Sequence, residues 1–319
     1  MLRFFSVFSL GATLLGVGAT AAQAKSDVWV YTSIYKEFAQ PLEAAFEKQY
    51  PEYDLQIFQA GSEKIQAKLE AEFLAKKPQA DIILTSDPFW SRDLVRRNLS
   101  ATRPGHEAVE TNYYSLMVLI AHKSLKAESR PKSFADLAKP EMKNLVQAGS
   151  PLESGTTFST VAYLSKKYGW DFFSKLRTNQ LASSGGNSTV IQKVESGEKK
   201  IGIVLLENAL AAIGRQSPIE VIYPEDGAIP IPSVQVILKD AKNAEGAGKF
   251  ADFVLSEAGQ QLLRNGFMYP VHPKISAPEG ARPLLEVTKN STPWTPALQL
   301  EVADGAKDIK KKFAALILE

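Results

Sequence analysis

The stretch Ser150-Pro-Leu-Glu-Ser-Gly-Thr-Thr157 sets hydroxyl side chains and a glycine directly ahead of a helical apolar stripe, Phe158, Val161, Ala162 and Leu164. At such a junction the first backbone N–H groups of the helix have no intrahelical acceptor, and the helix start carries about half a positive charge. The chemistry this suits is the binding of an anion. Ser154, Thr156 and Thr157 add hydroxyl donors, and Gly155 lets a ligand come close to the backbone. The same residues would also serve as an ordinary helix cap. The device recurs, however. Ser183-Ser-Gly-Gly-Asn-Ser-Thr189 opens a second apolar stripe, Val190, Ile191 and Val194, with Gly186, Asn187 and Ser188 at its start. Thr32-Ser33 and Tyr35 follow an apolar strand ahead of a third helix, and Ser86-Asp87 follow another strand.

Carboxylates are the other reactive side chains in view. Asp87, Glu207, Glu225 and Asp226 would suit acid–base catalysis only if folding brought two of them together. Otherwise Glu207, Glu225 or Asp226 suit sugar hydroxyls or an ammonium at the far end of a bound molecule. Glu225-Asp226-Gly227 also reads as an ordinary acidic turn. His106, His122 and His272 stand outside any G-x-S-x-G or His-Glu-x-x-His pattern. There is no phosphate-binding glycine loop of the nucleotide-binding kind, and no cofactor or metal is expected. The chain has no cysteine, which excludes disulfides, thiolate metal sites and cysteine nucleophiles. These signals point to a non-enzymatic binding protein, with a secreted carboxylate-dependent hydrolase as a second alternative.

The elements that must position these residues can be read in order. Asp27–Thr32 is a buried strand, and the apolar spacing of Phe38, Leu42, Ala45 and Phe46 is helical. Pro41 fits that helix only in its first turn. Tyr53–Phe58 alternates as a strand, Gly61-Ser62 opens a helix carrying Ile65, Leu69 and Phe73, and Ile82–Asp87 is a near-continuous apolar strand. This β-α-β-α-β order predicts an open α/β sheet with ligands at the carboxyl ends of its strands. Asn112–His122 is a long apolar strand, Ile201–Leu206 another, and Gly227–Leu238 a return strand, with a single helix over Ala247–Leu263. The second half echoes the first, so two similar lobes are expected. Residues 25–112 with 232–275 form the first, 113–231 the second, and 276–319 a C-terminal helical segment. The hinge is expected near Asn112–Tyr114 and Pro230–Ser233. The basic patch Lys310–Lys312 reads as a solvated face.

Residues 1–24 have the grammar of a cleavable secretory leader: Arg3, an apolar run over Phe4–Ala19, and Ala22-Gln-Ala24 as the cleavage site. Export to the periplasm is therefore expected. Lys and Arg number 37 against 35 Asp and Glu, without a long basic run, which disfavours nucleic acid and membrane surfaces as partners. A monomer is expected.

Taken together, Val30–Tyr35, Ala80–Asp87, Ser150–Thr157, Ile201–Asn208 and Tyr223–Gly227 resemble the periplasmic substrate-binding proteins of ABC importers. The similarity is to the group that includes ferric-iron, sugar-phosphate, phosphoglycerate and aminoethylphosphonate binders. It implies a two-lobed type II periplasmic-binding fold with the ligand cleft between lobes joined by a two-strand hinge. It also implies capture of a small solute for an importer permease. In the ferric-iron binders two adjacent tyrosines follow the strand matching Ile201–Leu206, with further ligands near Tyr35 and Asp87. Here Glu207-Asn208 stands in place of the tyrosine pair. The resemblance therefore favours a small anionic ligand, an organophosphate or organophosphonate, held by the Ser-Gly-Thr loop. A ferric-iron carrier is the first alternative.

Overall fold

The computed structural model describes residues 24–319. In chain order the first part comprises β1 (Ser26–Thr32), α1 (Lys36–Gln49), β2 (Tyr53–Gln59), α2 (Ser62–Leu74), β3 (Ile82–Thr85), α3 (Pro88–Arg96) and β4 (Glu110–His122). There follow β5 (Val146–Ala148), α4 (Gly155–Tyr168), α5 (Trp170–Thr178), β6 (Ala182–Ser183), α6 (Asn187–Glu195), β7 (Ile201–Leu205), α7 (Leu206–Gly214), β8 (Ile219–Ile222) and β9 (Ile229–Ile237). The chain closes with α8 (Ala244–Leu255), α9 (Glu257–Asn265), β10 (Tyr269–Pro270), α10 (Leu284–Thr288) and α11 (Pro296–Phe313). The leader expected over residues 1–24 lies, but for Ala24, outside the described residues.

One continuous sheet runs β2-β1-β3-β9-β4-β7-β5-β6, with β8 and β10 paired to β4. At one end β1 is parallel to β2 and β3; at the other β5 is parallel to β6 and β7. Between them β4 and β9 cross in opposite directions, pairing from Glu110↔Gln235 to Met117↔Ile229. β9 continues onto β3, and β4 continues onto β7. These two strands are thus the sheet's passage between its halves, and the segments Asn112–Tyr114 and Pro230–Ser233 face each other within it. The register slips between Thr111 and Tyr113. Such a bulge leaves one residue out of the ladder, here Asn112, which is fully buried with its side-chain amide unpartnered.

The apolar side chains collect on both sides of this crossing. One group packs Val28, Leu42, Phe46, Ile82, Phe250 and Leu263; another, Met117, Val161, Phe173, Ile201 and Phe313. Helix α11 joins the two halves. Val302 packs with Phe89 from α3 and with Phe158 and Ala162 from α4. Trp294, ahead of α11, stacks edge-on to Phe89 and Tyr163 and donates to the Pro230 carbonyl at 2.7 Å. The Lys310–Lys312 patch is accordingly not a solvated face throughout. Lys310 pairs with Glu63 at 2.6 Å and lies over the Phe158 ring, and Lys312 lies over Trp170.

Two further local expectations need correcting. Pro41 sits in the second turn of α1 rather than its first. Its missing N–H leaves the Glu37 carbonyl unpaired, which is tolerated because both residues face water. The single helix expected over Ala247–Leu263 is two helices broken at Ser256, whose backbone is extended. The Ser256 hydroxyl donates to the Phe253 carbonyl at 2.6 Å and accepts from Gly259 N–H at 3.2 Å, so the side chain replaces the helical ladder.

Candidate functional site

A cleft of about 560 Å³ opens beside the strand crossing. Its first wall is built by the ends of β1, β2 and β3. Ser33 and Tyr35 follow β1, Gln59–Ser62 follow β2, and Ser86 follows β3. The opposing wall is the start of α4 (Glu153–Thr156), the start of α6 (Gly186–Ser188), and Leu205 and Glu207 after β7. Tyr113 of β4 lies at the floor.

Several helices begin on these walls. Helices α1, α2, α6 and α7 start from Tyr35, Gly61, Gly186 and Leu205, and none of these has a side-chain cap. Of the helices that begin elsewhere, α3, α8, α9 and α11 are capped by Asp87, Asn243, Ser256 and Thr295, whereas α5 and α10 have no side-chain cap either. Uncapped first-turn amides remain available to an outside acceptor. Helix α4 is intermediate. Ser154 Oγ accepts from Thr157 N–H at 3.3 Å and lies 3.1 Å from Thr156 Oγ1. Asn187 Nδ2 donates to Thr156 Oγ1 at 3.0 Å, while Asn187 Oδ1 accepts from Leu205 N–H. A single polar network therefore ties the starts of α4, α6 and α7 together.

On the facing wall Ser86 N–H donates to Ser33 Oγ at 3.1 Å, and the Ser86 and Ser233 hydroxyls are 2.6 Å apart. This pair fixes the strand ends to the crossing strand β9. Tyr113 is buried beside both serines, and desolvation pushes its phenol up to about 12. Tyr35 is also raised by desolvation, an effect opposed by Ser188, Asn208 and Asn187 close to its hydroxyl. Both phenols thus stay protonated and able to donate. Glu207 is 5% exposed; Ser115 Oγ donates to its Oε1 at 2.6 Å, and burial pushes its carboxyl up to about 7. The residue's own backbone N–H partly offsets that rise.

Sequence reasoning named Ser33, Tyr35, Ser86, Ser154, Gly155, Thr156, Gly186, Asn187, Ser188 and Glu207, and all of these line the cleft. The others stand elsewhere. Thr32 Oγ1 accepts from Ile34 N–H at 3.1 Å and shapes the turn behind Ser33. Asp87 is buried as the cap of α3, accepting from Phe89 and Trp90 N–H; desolvation and the nearby Glu63 raise its carboxyl to about 6. Thr157 faces away from the cleft, toward Gly149 and the core of the second half. Asn208 stands behind Tyr35 with Oδ1 buried and unpartnered. Glu225 lies in a separate surface pocket with Arg282 and Asn290. Asp226 accepts from Phe134 and Ala135 N–H and from the Tyr168 hydroxyl. The four carboxylates considered as a catalytic pair are thus distributed over separate surroundings.

Residues the sequence did not single out include Gln59, Lys64, Tyr113, Glu153 and Met268. Gly61-Ser62 was legible as a helix start but not as a wall of the site. The β2–α2 junction carries only Gly61 and Ser62, a weaker local signal than the loops before α4 and α6.

This arrangement, two α/β halves joined by crossing strands with a cleft beside them, defines a two-lobed solute-binding fold. The sequence matches the family model described as bacterial extracellular solute-binding protein over residues 27–268, and the chain belongs to that family. An uncharacterised protein of Haemophilus influenzae is 25% identical over 80% of this chain and 81% of its own length. A putative 2-aminoethylphosphonate-binding periplasmic protein of Salmonella typhimurium is 27% identical over 59% of this chain and 62% of its own. The structure of the periplasmic binding protein AfuA from Actinobacillus pleuropneumoniae, with fructose-6-phosphate bound, aligns with a TM-score of 0.77 and 21% identity. That alignment covers 92% of this chain and 98% of AfuA. Among the described residues no helix is long and apolar enough to cross a membrane.

Proposed function

We propose that this chain is a periplasmic solute-binding protein that captures a small organophosphate or organophosphonate and delivers it to an ABC importer permease. The observation that carries the reading is the convergence of uncapped helix starts on one hydroxyl-lined cleft. An anionic group satisfies their first-turn amides and gains from their dipoles together. The Ser154–Thr156 loop and the Asn187–Ser188 start hold the anion. Glu207 and the phenols of Tyr35 and Tyr113 meet hydroxyls or an ammonium at the other end. The names of the Salmonella relative and of the AfuA complex are consistent with such a ligand. Work is done by capture and lobe closure rather than by bond making. The chain acts as a monomer that the permease meets in its closed form.

A thermal-shift panel on the mature protein tests this, using phosphate, fructose 6-phosphate, 3-phosphoglycerate, 2-aminoethylphosphonate, fructose, putrescine and ferric citrate. A ligand at about a hundred times its dissociation constant stabilises by roughly 2.7 kcal/mol, a rise of several degrees. A rise confined to phosphoryl or phosphonyl compounds is expected. A rise with ferric citrate alone, or turnover of any probe, would overturn the reading.

A further inference from the structure

We infer that Asn112 is a conformational switch between the lobes: its side-chain amide lacks partners while the cleft walls meet and regains them when the walls part. This rests on the lobe closure read above and not on the chemistry of the solute. Asn112 lies in β4 where the ladder to β9 slips, between the pairs Thr111↔Val234 and Tyr113↔Ser233. It is fully buried, and neither Nδ2 nor Oδ1 has a hydrogen-bond partner among the described residues. Its backbone is firmly held all the same. Gln260 Nε2 donates to the Asn112 carbonyl at 2.7 Å and to the Val254 carbonyl at 2.9 Å, while Gln260 Oε1 accepts from Val271 N–H at 2.7 Å. Gln235 of β9, paired with Glu110 just before the slip, adds a further buried oxygen without a partner, Oε1.

Buried polar groups are nearly always paired, because an unmade bond costs the full desolvation of the group. An amide with both ends unmet at the passage between two lobes belongs to one arrangement of those lobes. Here the walls touch: a Cβ on Gly155 would lie 2.8 Å from the Ser62 Cβ, so the cleft is shut at that point. The slip sits in the strand pair through which the sheet passes between its halves, and a bulge sharpens the local twist. Parting the lobes changes that twist and brings the Asn112 amide to the backbone groups that the bulge leaves over. Tyr113, the next residue, lies at the cleft floor, so a bound solute bears on the same step of the ladder. The unmet amide therefore opposes closure of the empty protein, and binding of a solute overcomes it.

The test places one spin label on each half of the mature chain, at the exposed Ala67 of α2 and Gln192 of α6. The chain has no cysteine of its own, so Ala67→Cys and Gln192→Cys direct the labels. Pulsed electron resonance then gives the apo distance distribution with Asn112 and with Asn112→Leu or Asn112→Ala. Asn112→Leu removes both polar atoms at nearly constant shape, and Asn112→Ala removes them with less bulk, so each covers a folding failure of the other. Either is expected to raise the ratio of short to long distances by about tenfold, the shift that one unmet buried amide corresponds to. In titration calorimetry with fructose 6-phosphate and 2-aminoethylphosphonate, the probe that wild type binds should bind more tightly by a similar factor. Distances and affinity both equal to wild type, with only the unfolding midpoint changed, overturn the role of Asn112 and leave the ligand reading standing. A shift toward longer distances overturns it as well. If neither probe binds wild type, the organophosphate reading fails by itself and the apo distances alone decide the role of Asn112.

Discussion

Gly155, at the start of α4, faces Ser62, at the start of α2, so closely that a Cβ on Gly155 would lie 2.8 Å from the Ser62 Cβ. The sequence suggested that Gly155 admits a ligand to the backbone. The structure shows that it admits the opposite wall of the cleft. On the other side of the contact, a Cβ on Gly61 would lie 3.3 Å from the Glu153 carbonyl oxygen. The two lobes therefore meet through backbone at small residues.

Gly155→Ala should act as a wedge between the walls. Its φ is compatible with alanine, so the fold persists and helix propensity even improves slightly. The added methyl must displace Ser62, which opposes closure. The expected outcome is weaker ligand binding with an apo melting temperature that hardly moves, checked by titration calorimetry and by small-angle scattering with and without ligand. Closure equal to wild type would show that Ser62 yields.

Ser154→Ala combined with Thr156→Ala removes both hydroxyls of the loop network. Loss of about one charge-assisted hydrogen bond corresponds to roughly tenfold or more in affinity. The helix also loses its cap, which costs roughly 1 kcal/mol of stability. Unchanged titration curves for a phosphoryl ligand would exclude this loop from the site.

Glu207 predicts a pH dependence whose sign follows from its burial. Its carboxyl is raised from 4.5 to about 7, so the folded protein holds a proton that the unfolded chain releases. The associated stability is fully present below about pH 4.5 and is lost as pH rises through about 7; it amounts to at most roughly 3 kcal/mol. Glu207→Gln should therefore flatten the stability profile between pH 5 and 8. The measurement is denaturant unfolding of apo protein at several pH values. A profile for the variant parallel to wild type would assign the slope to other groups, Asp87 first among them.

Lys310 predicts a coupling between the C-terminal helix and the cleft. It pairs with Glu63, whose other oxygen is buried without a partner, and its positive charge favours the ionised form of Asp87. Lys310→Gln should cost about 1–3 kcal/mol at pH 8, where Asp87 is ionised. The loss should shrink below pH 6 as Asp87 takes up a proton. Glu63→Gln in the same chain should restore part of the stability, and a double-mutant cycle at the two pH values measures it.

How far the sequence reached is clearest in particular elements. Ile82–Thr85 and Ile201–Leu205 are runs of four and five buried residues, and continuous apolar runs of that length admit little besides a strand covered on both faces. The loops before α4 and α6 were legible because glycine and hydroxyl residues cluster there. The sequence reading placed a hinge near Asn112–Tyr114 and Pro230–Ser233, and in the structure these segments pair antiparallel where the sheet crosses over.

The residues that sequence reasoning misplaced failed for a shared reason. Asp87, Glu225 and Asp226 are acidic residues at strand ends and turns, chemically as apt for a ligand as Glu207. Asp87 turns inward to cap α3, and Asp226 takes the amides of Phe134 and Ala135. Glu207 falls instead in the first turn of α7, on the cleft wall. Lys64 and Tyr113 were invisible for the converse reason: each sits in a stretch whose local pattern is fully explained by helix or strand. Local pattern, then, determines elements, their order and the places where backbone amides are left over. Which side chain faces the cleft depends on contacts distant in sequence, such as Ser62 with Gly155 and Glu63 with Lys310, and only the packing of one lobe against the other decides those.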